Sequence, residues 1–441
     1  MRLIDALPLA AGARVAFVGA GGKSTALFTQ ARQHGNAVWL AASTHLAAEQ
    51  AAQADHHTIL LPGTPLPEDL PTQGVTLFTG PVGDDGRTAG LEPAHLAALH
   101  TRAGDFPLLI EADGSRRRPL KAPAAHEPAI PPFVDTVVVV AGWGGVGQPL
   151  SEITTHRPEI FAALSGLNPG DIVTPSALTA VLTHPQGGRK NVPPSATLIA
   201  LLNQADDPAR AAAAAQLAPA LLAAGYAAVI PAHLESIDPT TQIWSVVEPV
   251  AGVVLAAGGS ARLGQPKQLL GWRGKPFVRA VCETALAAGL EPVVVVLGAQ
   301  AAEVRAALNG LTVQFVENAD WQSGQSGSVQ VGLAALPPQS GAAVFLLVDQ
   351  PQTPPELVRA LVERYSLTRH PIVAPLIDGQ RGNPVLFGRR TFLHLADLSG
   401  DQGGRALFRH FDPDYVPWLD PAASLDVDTP EDYARLLKYE D

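Results

Sequence analysis

The chain has 441 residues, more than a typical single domain holds, so two or three domains are expected. With 46% hydrophobic and 16% charged residues, its composition is that of a globular protein rather than a disordered one. Its formal net charge of −11, from 30 basic and 41 acidic residues, argues against general binding to nucleic acid or to an anionic membrane.

The single cysteine, Cys282, excludes an intramolecular disulfide and a cysteine-rich metal site, and its surroundings predict a buried thiol on a helix. No stretch of about 18 apolar residues is present, and the N-terminus lacks the charged-then-apolar pattern of a signal peptide. We therefore expect a soluble, cytoplasmic protein.

The first half alternates short apolar strands with amphipathic helices, which predicts α/β layers with mostly parallel sheets. The predicted elements, in chain order, are strand 14–18, helix 24–34, strands 37–42, 108–110, 136–141 and 198–202, helix 209–224 and strand 227–230. The segment 233–249 is polar, contains prolines and has no periodicity. We therefore expect a domain boundary near Glu248-Pro249, with domains at 1–248 and 249–441.

A glycine-rich loop lies between the first predicted strand and the first predicted helix, which is the setting of a phosphate-binding loop. The pattern departs from a regular P-loop, because Phe17 stands where the first glycine belongs. A plain tight turn is the alternative interpretation. The predicted phosphate-binding residues are Gly19, Gly21, Gly22, Lys23, Ser24 and Thr25.

Two later segments of the first half add charged groups. Glu111 or Asp113 follows a hydrophobic strand and is a candidate for holding Mg²⁺. The arginines 116–118 and Lys121 then form a local basic patch, which favours either a solvated loop or a phosphate-bearing ligand.

Asn203-Gln204-Ala205-Asp206 resembles the NKxD base-recognition motif of GTPases, but Gln204 stands where that motif has lysine. This departure from the motif weakens the expectation of guanine recognition. His45 and His156 are expected to be structural residues rather than metal ligands.

The second half continues the α/β pattern from the strand 253–256. Its further predicted elements are strands 291–297, 313–316, 343–348 and 372–375, and helices 277–288, 301–308 and 355–365. Ligands of open α/β sheets bind at the carboxyl ends of the strands, and the candidate chemistry lies at those ends.

The strand 253–256 leads into Ala257, Gly258 and Gly259, a small-residue loop whose backbone N–H groups can approach phosphates closely. Arg262 and Lys267 follow, and two such cations can neutralise a triphosphate and the charge that develops when it is cleaved. An ordinary strand–helix connection is the alternative for this loop taken alone.

Two aspartates are candidate metal ligands in the second half. Asp349 directly follows a buried strand and is well placed to coordinate Mg²⁺, the alternative being a turn or cap before Pro351. Asp428 is a candidate for a second ligand. The alternative is that Asp428 or Thr429 only caps the helix that begins at Pro430.

The segment LAAGGSARLGQPKQLL (255–270), together with Asp349-Gln350-Pro351 and the acidic segment 426–430, resembles the MobA-like nucleotidyltransferases. The likeness runs from about Val250 to the C-terminus and is strongest to the molybdenum cofactor cytidylyltransferase branch. It implies a Rossmann-like transferase domain with Arg262, Lys267 and Asp349 as catalytic residues and Asp349 and Asp428 as metal ligands. It also implies that the nucleotide is bound by Leu255, Ala256, Ala257, Gly258, Gly259, Lys267, Gln325 and Ser328. The acceptor would be bound by Arg381 and Asn383.

The implied reaction transfers CMP from CTP to the phosphate of molybdenum-loaded molybdopterin, with Mg²⁺ as cofactor. The methyl group of Ala257, where a guanylyl enzyme would have glycine, favours a pyrimidine base. Another phosphorylated acceptor, such as a sugar phosphate, or a non-catalytic cofactor carrier remain alternatives.

GAGGKST (19–25) and EADGSRRRPLKAP (111–123) resemble the YqeC-like accessory proteins associated with selenium-dependent molybdenum hydroxylases. This likeness spans roughly residues 15–230. It implies a P-loop-like α/β domain that binds a nucleotide or cofactor, and a molybdenum hydroxylase as recipient of the product.

Overall fold

In the computed structural model, residues 1–259 and 263–439 are described. The chain forms two compact units, Met1–Val247 and Glu248–Asp441. Both are α/β units built on a large sheet, as the alternating sequence pattern predicts.

The first unit is built on an eight-stranded sheet in the order β12-β11-β9-β1-β7-β2-β5-β4, whose neighbouring strands all run parallel. Two short pairs, β8 with β10 and β3 with β6, lie apart from it. The strands are β1 Arg14–Gly19, β2 Val38–Ala42, β3 Leu46–Ala47, β4 His56–Ile59, β5 Val75–Thr79, β6 Arg87–Thr88, β7 Leu108–Glu111, β8 Leu120–Lys121, β9 Thr136–Gly142, β10 Thr155–His156, β11 Thr197–Asn203 and β12 Ala228–Pro231. The helices are α1 Leu3–Ala6, α2 Lys23–His34, α3 Ala48–Ala51, α4 Pro93–Ala103, α5 Pro158–Ser165, α6 Pro175–Thr183, α7 Pro208–Ala215 and α8 Ala218–Ala223.

The central strands of this sheet are buried along almost their whole length, which explains their continuous apolar sequences. Two hydrophobic clusters form the core of the unit. One contains Trp39, Phe78 and Phe161, and the other contains Phe17 and Leu40.

The alanine-rich segment 209–224 was expected to form one helix, and the structure corrects this expectation. It forms α7, which ends at Ala215, and α8, which begins at Ala218. Pro219 lies in the first turn of α8, where its missing N–H costs nothing, whereas inside a continuous helix it would remove a hydrogen bond.

The second unit is built on a sheet in the order β17-β16-β13-β18-β21-β19-β20, with β22 paired to β19. The strands β20 and β21 run antiparallel to their neighbours, and the other pairs are parallel. The strands are β13 Val250–Ala256, β14 Gly271–Trp272, β15 Lys275–Pro276, β16 Val293–Leu297, β17 Gln314–Glu317, β18 Ala342–Leu347, β19 Ile372–Ile377, β20 Gln380–Arg381, β21 Val385–Gly388 and β22 Asp414–Trp418. The helices are α9 Phe277–Ala287, α10 Ala301–Ala307, α11 Gln325–Ala334, α12 Pro355–Thr368, α13 Phe392–Ala396 and α14 Pro430–Leu436.

Cys282 lies on α9 in the hydrophobic core of the second unit and is fully buried. Burial raises the pKa of its thiol to about 12, so the thiol stays protonated at neutral pH. None of the helices in the described part of the chain combines the length and the apolar character needed to cross a bilayer.

Candidate functional site

The candidate site of the second unit begins where two neighbouring strands end. Strands β13 and β18 are parallel, with Leu255 opposite Leu347. The loop 257–259 and Asp349 therefore leave the sheet at the same edge, as expected for the ligand side of an open α/β sheet.

Lys267 connects this edge with the C-terminal acidic segment. Its Nζ lies 3.0 Å from Asp349 Oδ2 and 2.7 Å from Asp428 Oδ1. Burial alone would lower the pKa of Lys267, but Asp349 and Asp428 outweigh burial, and the pKa is raised above its usual value. The ammonium group is therefore charged throughout the physiological pH range.

The sequence left open whether Asp428 or Thr429 caps helix α14. In the structure Thr429 is the capping residue. The Thr429 hydroxyl accepts a hydrogen bond from Asp432 N at 3.2 Å, and the Asp432 carboxylate accepts from Thr429 N at 3.1 Å. This capping box holds the start of α14. The Asp428 carboxylate, half exposed, turns instead to Lys267.

The acidic groups at this edge fit a hydrated divalent cation. Asp349 Oδ1 is buried and accepts no hydrogen bond from the described part of the chain. Burial and the nearby Asp349 raise the pKa of Asp426, whose Oδ1 accepts a 2.6 Å hydrogen bond from Gln350.

Within residues 1–259 and 263–439, no three histidine, cysteine or acidic side chains converge on one metal position. Mg²⁺ does not require such a cage, since it commonly keeps several waters and takes one or two carboxylates together with substrate phosphates. Asp349 and Asp428 offer carboxylate oxygens of this kind at the sheet edge.

A cleft of about 380 Å³ opens above these groups, and we call it the nucleotide-side cleft. Most of the residues that the sequence assigned to nucleotide binding line it. They are Leu255, Ala257, Gly258, Gly259, Lys267, Gln325 and Ser328. Ala256, also assigned to the nucleotide, is fully buried and does not line the cleft, and its carbonyl accepts a 2.9 Å hydrogen bond from Gln268.

Two residues to which the sequence analysis assigned no contact role shape this cleft. The buried Gln268 donates to the Ala256 and Gly258 carbonyls and so braces the loop after β13. Trp321 packs over Gly259, where an added Cβ would lie 2.8 Å from the indole ring. Its position next to Lys267 could have marked Gln268 as a candidate site residue. Only the structure shows that its amide donates to carbonyls of the loop after β13.

The start of α11 forms one wall of the cleft through Gln325 and Ser328. Ser328 Oγ accepts a 3.0 Å hydrogen bond from the buried Asn318. Ser326 Oγ donates to Gly400 O at 2.7 Å, which ties α11 to the loop that carries Asp401.

A second cleft of about 320 Å³ adjoins the first, and we call it the acceptor-side cleft. The two share Leu255, Gln325, Leu347 and Asp401.

Asn383, one of the two residues assigned to the acceptor, lines this second cleft. The other, Arg381, does not, and its guanidinium lies 4.0 Å from the centre of the Phe408 ring. Arg405, which the sequence analysis did not assign to the acceptor, lines the cleft in its place. Arg262 lies outside the described residues.

In the first unit, the glycine-rich loop connects β1 to α2, as predicted. Gly19, Gly21 and Gly22 all have positive φ. Lys23 is buried, and its Nζ donates to Gly19 O at 2.6 Å and lies 3.3 Å from Asp113 Oδ1. The Lys23 side chain therefore folds back against the backbone of its own loop.

The two candidate acids of this unit have different partners. Glu111 Oε2 accepts a 2.7 Å hydrogen bond from Ser24 Oγ, and burial raises the pKa of Glu111. Asp113 accepts from Gly19 N and lies 2.8 Å from Lys121 Nζ. Glu111 therefore stands beside the hydroxyl of the loop, while Asp113 holds the loop backbone.

The basic segment is split between the interior and the surface. Gly21 N donates to Arg118 O at 3.1 Å, so the arginine segment is attached to the glycine-rich loop. Lys121 is buried and also pairs with Glu127 at 2.7 Å, and Arg157 pairs with Glu127 at 2.6 Å. Burial alone would raise the pKa of Glu127, but the bonds from Arg157 and Lys121 hold it at about 2.

Comparison with known proteins agrees with this division of the chain. Residues 252–415 match the MobA-like NTP transferase domain family, and residues 15–159 match the YqeC protein family. The chain belongs to both families, and its second unit is a nucleotidyltransferase of the MobA-like family.

Particular relatives match one half of the chain each. The protein YqeC of Escherichia coli (strain K12) is 34% identical over 196 residues, covering 43% of this chain and 75% of its own. Nicotine blue oxidoreductase of Paenarthrobacter nicotinovorans is 38% identical over 203 residues, covering 43% of this chain and 96% of its own. The crystal structure of Rv0371c from Mycobacterium tuberculosis H37Rv is 34% identical, covers 43% of this chain and 98% of its own, and superposes with a TM-score of 0.40.

Proposed function

We propose that the second unit transfers CMP from CTP to the phosphate of molybdenum-loaded molybdopterin. The observation that carries this proposal is Lys267, a charged lysine between Asp349 and Asp428 where two adjoining clefts meet the sheet edge. One cleft would hold the nucleotide and the other the acceptor, since Leu255, Gln325, Leu347 and Asp401 line both.

In this reaction an oxygen of the acceptor phosphate attacks the α-phosphorus of CTP, the bond between the α-phosphorus and the bridging oxygen breaks, and pyrophosphate leaves. The acceptor phosphate is already an anion, so no enzyme nucleophile is needed. Lys267 and Arg262 would neutralise the charge that spreads over the phosphates, and the loop 257–259 would hold them in line. Mg²⁺, when bound at Asp349 and Asp428, supplies further charge neutralisation.

We infer the preference for CTP from Ala257. This residue lines the nucleotide-side cleft, and Gly298 packs directly behind it, with room for no side chain of its own. This packing fixes the Ala257 backbone at the cleft, and we propose that a residue larger than glycine at this position favours a pyrimidine. The expected effect of Ala257→Gly is a shift of the CTP/GTP rate ratio toward GTP.

Asn383 and Arg405 are the acceptor-side groups that we propose to contact the pterin substrate, and Arg381 would act through its stacking on Phe408. We propose that the first unit is a separate domain that binds a nucleotide or cofactor through Gly19, Gly21, Gly22, Lys23, Ser24 and Thr25 and assists delivery to a molybdenum hydroxylase.

The test is incubation of the purified chain with Mg²⁺, molybdenum-loaded molybdopterin and either CTP or GTP, with measurement of dinucleotide and pyrophosphate. Product with CTP that disappears in Asp349→Ala, but not in the control Asp412→Ala, supports the proposal. Asp412 is an exposed carboxylate of the same unit that lines neither cleft. Product with GTP alone contradicts the base assignment, and no product with either contradicts the acceptor.

A second candidate is an oxidoreductase activity of the second unit, which is favoured by the 38% identity to nicotine blue oxidoreductase. Conversion of nicotine blue by the purified chain in the presence of an added two-electron donor or acceptor, combined with absence of nucleotidyl transfer, would replace the first proposal by the second.

A further inference from the structure

A polar cavity in the first unit lies at the carboxyl ends of β9 and β11 and beside the end of β12. It has a volume of about 160 Å³. Its lining residues are Gly144, Asn203, Gln204, Asp206, His233 and Glu235. We call it the strand-end cavity.

The strand-end cavity shares a wall with the glycine-rich loop. Asn203 is buried, and its Nδ2 donates to Gly21 O at 2.7 Å. The Oδ1 of the same side chain accepts from Leu234 N at 3.0 Å, on the segment that carries His233 and Glu235. One amide therefore joins the loop to the opposite wall of the cavity, and the cavity adjoins the loop that we propose to bind phosphates.

The cavity is rich in hydrogen-bond acceptors. Asp206 and Glu235 contribute carboxylates, Gln204 contributes an amide, and lysine and arginine are absent from the described residues that line it. Such walls repel phosphates and favour a group that presents N–H donors. The phosphates of a nucleotide would therefore bind at the glycine-rich loop. The N–H groups of its base suit the acceptors that line the strand-end cavity.

The backbone that leads into Asp206 is held by buried hydrogen bonds. The preceding Ala205 is fully buried, its N–H donates to Ala232 O at 2.9 Å, and its carbonyl accepts from Trp244 Nε1 at 2.7 Å. The ion-pair partners of Asp206 are distant, with Arg210 at 3.5 Å and His233 at 3.7 Å, and such exposed pairs are easily exchanged for a ligand.

We propose that the strand-end cavity binds the base of a guanine nucleotide, with Asp206 accepting hydrogen bonds from the ring N–H and the neighbouring amino group. Guanine is the common base that presents two adjacent donors on one edge, and the two oxygens of one carboxylate match them. This inference rests on the proposed phosphate binding by the loop of residues 19–25 and adds the identity of the base.

The experiment measures binding of GDP, ADP and XDP to the full chain by titration calorimetry with Mg²⁺ present. Asp206→Asn is expected to weaken GDP binding about tenfold or more, since a good bidentate contact discriminates at that level. The same variant is expected to bind XDP more tightly than the wild-type chain, because the new amide can donate to the carbonyl that replaces the amino group. Asp84→Asn, at an exposed position of the same unit outside the cavity, is the matched control and should change neither affinity.

Binding at the first unit is identified by its loss in Lys23→Ala. Because Lys23 is buried beside Asp113, Ser24→Ala serves as a second loop variant if Lys23→Ala does not fold. Loop-dependent GDP binding with equal affinity for ADP, unchanged by Asp206→Asn, would overturn the base assignment and leave the phosphate site standing. Absence of any loop-dependent nucleotide binding would overturn both.

Discussion

Lys267 is the residue on which the proposed chemistry depends most. It bonds Asp349 and Asp428, which lie 82 and 161 positions away along the chain. These two ion pairs explain its raised pKa and hold its ammonium group at the edge of the nucleotide-side cleft. In the proposed reaction, nucleotide phosphates would compete with the two carboxylates for this ammonium group.

We predict that Lys267→Ala reduces turnover at least about a hundredfold, because removing one such contact typically costs about 3–4 kcal/mol in the transition state. The measurement is the rate of pyrophosphate release under saturating substrates. Lys438→Ala, at an exposed lysine of the same unit, is the control. A normal rate in a folded Lys267→Ala chain would contradict the assigned role.

His156 predicts a pH dependence of stability in the first unit. Burial, together with Arg157 and Lys121, lowers the pKa of His156 from 6.5 to about 4. Between these two values the unfolded chain binds a proton that the folded chain does not, so stability falls as the pH falls from 6.5 toward 4.

The expected result is a smaller loss of unfolding free energy between about pH 7 and about pH 5 in His156→Gln than in the wild-type chain, measured by urea denaturation. His126→Gln, at an exposed histidine of the same unit, should retain the wild-type loss. An equal loss in His156→Gln would show that other groups govern acid sensitivity.

At the scale of single elements, the start of α14 places the acidic segment. Thr429 caps this helix, and Asp428 immediately before it reaches Lys267. Loss of the cap would loosen the backbone that positions Asp428, so stability and activity are expected to change together.

Thr429→Ala is expected to cost about 1 kcal/mol of unfolding free energy, the usual value for a lost cap, and to lower the transfer rate. Thr429→Ser keeps the hydroxyl and should retain both. Denaturant titration and pyrophosphate release measure the two effects. Equal behaviour of the alanine and serine variants would show that the cap does not position Asp428.

Helix α11 lies unusually close to the sheet beneath it. A Cβ on Gly332 would lie 2.6 Å from Val253 Cγ1 and 3.0 Å from Val296 Cγ2. Both valines are fully buried, so neither can yield easily. This close contact sets the position of the α11 N-terminus, which lines the nucleotide-side cleft.

We predict that Gly332→Ala lowers the unfolding free energy by about 1–3 kcal/mol, the usual cost of overpacking, despite the better helix propensity of alanine. It should also raise the KM for the nucleotide. The double variant with Val253→Ala is expected to lose less stability than the sum of the two single variants, as measured by denaturant titration. Strictly additive losses of unfolding free energy would argue against a steric conflict between the new methyl group at position 332 and Val253.

At the scale of the whole molecule, each unit has its own sheet and its own hydrophobic clusters. The residues in the clusters of the first unit lie at or before Val247. The residues in the clusters of the second unit begin at Val250. The N-terminus also belongs to the first unit, because Met1 and Ile243 exchange two backbone hydrogen bonds of 2.9 Å.

We therefore predict that fragments 1–247 and 248–441 fold separately. Each should show helical circular dichroism and a cooperative thermal transition, and fragment 248–441 should retain nucleotidyl transfer. Aggregation of both fragments would indicate that the two units depend on each other for stability.

Much of the fold could be predicted from the chain itself, and the site only in part. Apolar runs marked β1, β13 and β18, and glycines follow the first two, since burial on both faces of a parallel sheet leaves a local trace in the sequence. Less regular elements were missed, among them β5, β21 and β22. The division of the alanine-rich segment at Pro219 was missed because alanine propensity masked the proline.

The sequence by itself determined the α/β class, the two glycine-rich loops and the residue types available for phosphate and metal chemistry. These properties depend on neighbouring residues and on hydrophobic periodicity. Only the tertiary structure decided that Lys267 lies between Asp349 and Asp428, that Arg405 rather than Arg381 lines the acceptor-side cleft, and that Asn203 joins the phosphate loop to a cavity. These contacts arise from strand order, register and side-chain packing between distant segments, which local sequence does not encode.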